Sequence, residues 1–318
     1  MKELTFSPSP HLHTPRTTGG IMRHVMVALI PAILTSLYYF GMPALGVLAV
    51  SVAASVATEW AVTRFMLGRP STVGDCSAAL TGILLALNLP ANLPLWMVAA
   101  GAVMAVGIGK MAFGGLGCNI FNPALVGRVF LLISFPVAMT TWPLPDGGFG
   151  DADGATGATL LSLLKSGAVS AESVDTLGLA LGDTGGSMGE VGAAAILLGF
   201  VYLLCTGVIR WYIPVAVIAG LAAVDIIAGY PVGIDILTGG VLLGAVFMAT
   251  DYATSPMTRS GMLLYGVLIG IITAVIRRWG AYPEGMSFAI LIMNGATPLI
   301  NRYMRPARFS PRRKEAAA

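Results

Sequence analysis

Hydrophobic residues in this chain gather in long blocks interrupted by Gly, Pro and charged clusters, from Met22 through Ile300. Such blocks mark helices that cross a bilayer, where about 20 apolar residues cover a hydrocarbon core of about 30 Å. Reading the interruptions as ends gives ten candidate spans, at 22–40, 43–66, 76–90, 93–113, 122–136, 190–208, 211–228, 234–250, 261–276 and 283–300. The predicted fold is an all-α polytopic membrane protein with one large hydrophilic segment between its fifth and sixth spans. It divides into a leader over 1–21, a first five-helix unit over 22–136, a loop over 137–189, a second five-helix unit over 190–300 and a tail over 301–318. No small-residue cleavage site follows the first block, so that block is expected to stay as a span and not to be removed as a signal peptide.

Composition and charge add an orientation. Of the 318 residues, 56% are hydrophobic and 10% charged, against roughly 25% charged in soluble domains. Cytoplasmic loops collect Lys and Arg. Placing the N-terminus inside puts 15 of the 18 basic residues there, including Arg16, Arg23, Arg64, Arg69, Lys110, Arg210, Arg259 and the tail, and leaves Lys165, Arg277 and Arg278 as exceptions. The segment from Val137 to Glu190 then faces outward, and its seven acids (Asp146, Asp151, Asp153, Glu172, Asp175, Asp183, Glu190) against Lys165 give it a net charge of −6. The basic run Arg302–Lys314 reads as a cytoplasmic anchor beside the membrane; nucleic-acid binding is the other reading of such a run, and its place directly after a span disfavours it.

Two echoes suggest an internal repeat. Leu80-Thr81-Gly82 opens the third span and Leu237-Thr238-Gly239 the eighth; Pro123-Ala-Leu-Val-Gly-Arg128 is echoed by Pro298-Leu-Ile-Asn-Arg302. Chance matches are the competing explanation in so biased a composition. Units with an odd number of spans insert with opposite topology, so the expectation is two inverted five-helix repeats, an arrangement similar to that of urea channels. The short interrupted segments 76–90, 122–136 and 234–250 would then line a central site.

The candidate chemistry lies in the loop. Asp153-Gly154-Ala155-Thr156-Gly157-Ala158-Thr159-Leu160 is a run of tiny residues bracketed by an acid and a hydroxyl. It lacks bulk that would keep it out of a modifying enzyme's cleft, and Thr159 offers a nucleophilic oxygen; on residue types alone, a solvated turn is the favoured reading. The run resembles the acceptor site of the periplasmic flavin transferase, matching at Asp153, Thr156, Gly157, Ala158 and the modified Thr159. Gly295-Ala296-Thr297 fails the same comparison, with Asn294 and Leu291 at the positions that require a hydroxyl and an acid.

Beyond this run, Gly74-Asp-Cys-Ser-Ala-Ala-Leu-Thr-Gly-Ile-Leu-Leu-Ala-Leu-Asn-Leu-Pro90, Gly117-Cys-Asn-Ile-Phe-Asn-Pro-Ala-Leu-Val-Gly-Arg128, Met248-Ala-Thr-Asp251 and Pro283-Glu-Gly-Met-Ser-Phe288 make the chain resemble the D subunits of Rnf ion-translocating ferredoxin:NAD oxidoreductase complexes. More distantly it is similar to the B subunit of the sodium-pumping NADH:quinone reductase, whose longer N-terminal extension it lacks. The resemblance implies covalent FMN on Thr159 through its phosphate, with Asp153, Thr156, Gly157 and Ala158 read by the transferase. It implies a second, non-covalent flavin (riboflavin or FMN) held by Asn119 and Asn122, and an electron relay coupled to Na⁺ or H⁺ movement. The implied partners are a second FMN-bearing subunit, iron–sulfur subunits, the flavin transferase and membrane lipid, with no nucleic acid, in a bacterial inner membrane with both termini cytoplasmic.

Other polar residues carry two readings each. Asn119 and Asn122 serve equally as helix caps before Pro123. Arg128 either neutralises an anionic flavin or anchors a short span. Asp75, Arg128, Asp225, Asp235 and Asp251 lie near span ends, where most charges face the interface; Asp251 is the candidate for an ion-linked or flavin-linked acid. Cys76, Cys118 and Cys205 have no metal-ligand spacing, so no iron–sulfur cluster is expected on this chain alone, with Cys118 open as a contributor to a shared site. His11, His13 and His24 supply no complete metal set, and neither G-x-S-x-G nor HExxH occurs, so a hydrolytic centre is not expected. The alternative to the redox reading is a solute channel, for which the acceptor run would have no use.

Overall fold

The computed structural model describes residues 17–144, 156–157, 159–166, 168, 174, 176–182, 185–280 and 284–304. These residues are mostly helical, with a continuous apolar core that includes Leu29, Leu85, Val98, Leu125, Ile196 and Tyr265. Apolar side chains also cover the outside, among them Leu34, Leu198, Ile227, Val275 and Leu299. A polypeptide that is apolar inside and out is the composition of a membrane bundle. Three stretches are long and apolar enough to cross a bilayer: Thr18–Met66, Leu95–Phe113 and Arg259–Trp279.

Helix α1 (Thr18–Ala61) begins where the Thr17 hydroxyl accepts the Gly20 N–H at 3.2 Å. Its 44 residues would extend about 66 Å if straight, yet both ends meet one segment. Gly19 lies against the Asp75 backbone, while Glu59 accepts a hydrogen bond from Thr72. The chain therefore folds back on itself, at Gly41, whose φ of 60° and ψ of −139° leave the helix just before Pro43. One element thus supplies the first two expected spans, and Gly-Met-Pro at 41–43 is the sequence cause: only glycine takes this φ without strain, and proline favours a helix start.

Helix α2 (Ser77–Leu87) is a half-length helix. Its C-terminal carbonyls would be orphaned inside the bundle; instead Leu87 O accepts from Gly189 N–H at 2.6 Å and Leu89 O from Met188 N–H at 3.2 Å. Residues 187–189 are therefore buried in the bundle, where their N–H groups close the broken end of α2. Helix α3 (Leu95–Val103) runs into a π-helical turn, Met104–Ile108, and α4 (Pro123–Ser134) starts at an Asn122 cap with proline in its first turn. Short α5 (Pro136–Thr140) follows. A two-residue antiparallel ladder, β1 (Trp142–Pro143) with β2 (Thr156–Gly157), is added to the expected all-α bundle.

The loop also contains α6 (Leu160–Ser166) and α7 (Thr176–Leu181). Then come α8 (Ala193–Cys205), α9 (Tyr212–Ala228), α10 (Val232–Leu237), α11 (Val241–Leu243) with a further π-helical turn at Gly244–Met248, α12 (Arg259–Trp279) and α13 (Met286–Tyr303). The two sequence echoes do not share a local structure. Leu80-Thr81-Gly82 lies within α2, whereas Leu237-Thr238-Gly239 is the break between α10 and α11; Pro123 opens α4, whereas Pro298 lies inside α13. The structural likeness between halves is elsewhere: α3 and α11 each end in a π-helical turn followed by a charged residue, Lys110 or Asp251.

Charges expected at the interface are instead buried and paired. Arg278 contacts Asp225 at 3.0 Å and also Asp235. Arg277 lies 3.7 Å from Asp235 and donates to the carbonyls of Asp235 (2.6 Å), Thr238 (2.8 Å) and Gly239 (3.0 Å), closing the break between α10 and α11. Arg128 pairs with Glu284, and Lys110 with Glu59 at 2.7 Å. The cause is common: in an apolar bundle, each unsatisfied carbonyl or lone charge is costly, so they find one another. This also explains why Arg277 and Arg278 break the positive-inside pattern.

Helices α9 and α12 touch backbone to backbone at small residues. A Cβ at Gly220 would meet Val267 O at 2.3 Å, and one at Gly270 would meet Val217 O at 2.2 Å. Gly270→Val is expected to push the pair apart and destabilise the chain by about 3 kcal/mol or more, read as a lowered unfolding temperature in detergent; an unchanged midpoint would refute the contact. Arg277→Met is expected to cost about 3–5 kcal/mol by orphaning the carbonyls of Asp235, Thr238 and Gly239 at the break, with Arg277→Lys recovering part, measured in the same assay.

Candidate functional site

Two cavities lie at the two ends of α4. The first, about 820 Å³ including its open mouth, is lined by Arg128, Leu132, Met139, Thr140, Trp142, Thr159, Ser162, Glu284, Ser287 and Phe288. The ladder pairs Trp142 with Gly157 and Pro143 with Thr156, which brings the acceptor run to this mouth. Thr159 then starts α6: its hydroxyl accepts the Ser162 N–H at 3.3 Å, and it is 5% exposed. Lys165 donates to Gly280 O at 2.6 Å and Leu161 rests at Gly239, so α6 is fastened to the end of α12 and to the break after α10. Asp153 and Ala158 lie outside the described residues.

Arg128 forms the floor. It pairs with Glu284 and donates to Ser287 Oγ at 2.6 Å and Asn88 Oδ1 at 3.1 Å. Among the described residues its Nε and the Oε1 of Glu284 have no hydrogen-bond partner. A cavity with a hydroxyl at its rim, a buried guanidinium on its floor and aromatic walls from Trp142 and Phe288 suits an aromatic ligand that carries negative charge.

The second cavity, about 750 Å³ including its open part, has Asn119, Asn122 and Asp251 on one lining, with Ser77, Thr81, Lys110, Thr250 and Tyr252 and apolar residues such as Met22, Leu84, Leu203 and Phe247. Three sequence candidates from segments 117–128 and 248–251 thus meet in one place. The two asparagines differ. Both ends of the Asn122 amide are committed: its oxygen caps α4 at Ala124 N–H (3.1 Å) and its nitrogen donates to Met248 O (3.2 Å). Asn122 is therefore a helix cap and a brace. Asn119 donates to Phe121 O at 3.1 Å, but its Oδ1 is buried with no partner among the described residues. An orphaned amide oxygen on a cavity wall fits a ligand N–H. Asp251 accepts from Thr254 at 3.3 Å.

A polar thread joins the cavities. Arg128 reaches Asn88; Asn88 donates to Leu84 O at 2.7 Å and to Met248 Sδ at 3.6 Å; Met248 O accepts from Asn122. Along α4, Ala124 in one wall and Arg128 in the other are one turn apart, about 6 Å of rise. Sequence reasoning alone does not single out Glu59, Ser77, Glu284 or Lys110 for a site. The available signal is that Glu59 and Lys110 are charges of opposite sign in the apolar blocks 43–66 and 93–113.

Comparison with known proteins agrees with this architecture. The model of the NQR2, RnfD, RnfE family matches residues 5–310. The D subunit of the Na⁺-translocating ferredoxin:NAD⁺ oxidoreductase complex of Acetobacterium woodii is 46% identical over 307 residues, covering 95% of this chain and 94% of that protein. The D subunit of the proton-translocating ferredoxin:NAD⁺ oxidoreductase complex of Clostridium ljungdahlii is 40% identical over 325 residues, 97% of each chain. Its counterpart in the ion-translocating oxidoreductase complex of Stutzerimonas stutzeri is 42% identical over 323 residues, 91% of each. Matched almost end to end by the family and by these relatives, the chain belongs to the NQR2, RnfD, RnfE family.

Proposed function

We propose that this chain is the membrane flavoprotein subunit of an ion-translocating ferredoxin:NAD⁺ oxidoreductase complex, relaying electrons between FMN esterified to Thr159 and a second, riboflavin-type flavin in the Asn119 cavity. The observation that carries this reading is the position of Thr159, at the end of a complete transferase-acceptor run and on the rim of a cavity floored by Arg128. Bound flavin supplies the chemistry of taking up and passing on electrons one or two at a time. The chain's residues do the rest. Thr159 and the fastening of α6 hold the ligand near the bundle; Arg128 offers positive charge to it; Trp142 and Phe288 exclude water. Asn119 Oδ1 accepts from the second ligand, and Asn122 keeps the π-helical turn at Gly244–Met248 close to α4.

The charges around the second cavity favour a flavin without phosphate. Lys110 is compensated by Glu59, and Asp251 adds an acid, so a phosphate dianion would meet no free positive charge among the lining residues. In this reading the helices make ten spans in two inverted halves, the termini are cytoplasmic, the Thr159 loop faces outward, and Asp251 is the acid linked to Na⁺ or H⁺ movement. The partners are a second FMN-bearing subunit, iron–sulfur subunits and a flavin transferase, since electrons must enter and leave through carriers this chain does not supply.

Expressed with the transferase, the chain should show in-gel flavin fluorescence that survives denaturation and is absent in Thr159→Ala. A dark wild-type band, with the transferase active on another substrate, would overturn the redox reading in favour of a channel. Asn119→Ala should lower the flavin released by acid about tenfold while leaving the fluorescent band intact; equal release from both proteins would remove Asn119 from the site.

A further inference from the structure

We infer that Lys110 is a ligand-facing residue of the second cavity, whose ammonium provides the positive charge against which the bound redox ligand takes up its electron. The inference rests on reading that cavity as a flavin site. Lys110 is 2% exposed and Glu59 1%, both withdrawn from water inside an apolar bundle. For stability alone, an apolar pair of similar size would serve as well, because burying two charges costs about as much as their attraction returns. The ion pair therefore calls for another use, and its location supplies one: Lys110 and Ser77 both line the cavity beside Asn119.

The ammonium is held in a fixed place. It donates to Glu59 Oε2 at 2.7 Å and to Ser77 Oγ at 2.6 Å. Each holder is itself held: Glu59 Oε1 accepts from Thr72 Oγ1 at 2.5 Å, and the Ser77 hydroxyl donates to Asp75. An ammonium has three N–H groups, and two account for its hydrogen bonds among the described residues. Lys110 is also the one Lys or Arg among the residues that line this cavity. The wall thus presents an acceptor at Asn119 and a charged donor at Lys110, which suits a planar heteroaromatic with an N–H and a carbonyl oxygen on its edge, neutral when oxidised and negative when reduced. The electron arrives from one carrier of the complex and leaves to the next; no bond in the chain is made or broken, and the proton stays on Lys110 Nζ. Lys110 lines the cavity and Glu59 does not, so the ammonium is the nearer charge of the pair to a ligand that gains negative charge.

The test compares the purified wild-type complex with complexes carrying the Lys110→Met/Glu59→Gln double variant or Lys110→Arg. The double variant removes both charges and so leaves none stranded. Flavin released by acid is quantified per chain against the flavin remaining on Thr159, and the midpoint potential of the releasable flavin is measured by spectroelectrochemical titration. The double variant should retain about tenfold less releasable flavin, or hold it at a lower potential, with Lys110→Arg close to wild type in both. Unchanged content together with unchanged potential would overturn the inference. Wild-type complex with no releasable flavin would instead overturn the reading of the cavity. Should the double variant fail to mature, as shown by loss of the Thr159-linked band, Ser77→Ala decides. It removes one anchor of Nζ and spares the ion pair, so a shifted potential supports the role of Lys110 and an unchanged one refutes it.

Discussion

The broken ends of α2 and α10 are closed by partners supplied from elsewhere in the chain, and the rest of the architecture depends on that constraint. An apolar surrounding provides no water for an exposed carbonyl or N–H. The end of α2 is closed by the backbone of Met188 and Gly189, and the break after α10 is closed by Arg277. These closures join segments separated by roughly a hundred residues in one case and about forty in the other. They hold open the irregular backbone around which the cavities form, since a continuous helix would present only side chains there.

The same economy of partners shapes the charges. Each buried ion pair sits where helices are interrupted or end: Lys110 after the π-helical turn of α3, Arg277 and Arg278 at the end of α12, Arg128 beside Glu284 ahead of α13. Arg128 and Lys110 have a second situation in common, since each is anchored by a carboxylate and a serine while also lining a cavity. The two cavities are therefore alike in electrostatic design, one cation apiece with its neutralising acid, and they are joined through Asn88, Met248 and Asn122.

Much of this was legible in the sequence wherever the cause was local. Gly41 with Pro43 announced the reversal of α1, and Asn122-Pro123 announced the start of α4; the break at Gly239 and Gly240 fell inside the expected span 234–250. Asn119 and Asn122 were linked by resemblance and Asp251 was singled out as a charge near a span end; their meeting was not legible, because nothing local ties residue 119 to residue 251. What was not legible depended on which distant groups found each other. Glu59 and Lys110 are 51 positions apart, and Arg278 is 53 from Asp225; read singly, each looked like a charge at a membrane surface. The repeated Leu-Thr-Gly triplet shows the same dependence: identical residues adopt a helix in one half and a break in the other, where Arg277 satisfies the carbonyls.

The closure of Thr159 has a consequence in time. With its hydroxyl turned into the first turn of α6, and α6 fastened by Lys165 and Leu161, the oxygen is 5% exposed and out of reach of any enzyme as large as a transferase. On the proposed function, esterification of Thr159 and docking of this segment compete for the same hydroxyl, and the productive order is attachment first. A chain that docked early would be complete in shape yet sealed without its ester, so the lifetime of the undocked loop sets how much of the protein can ever be matured.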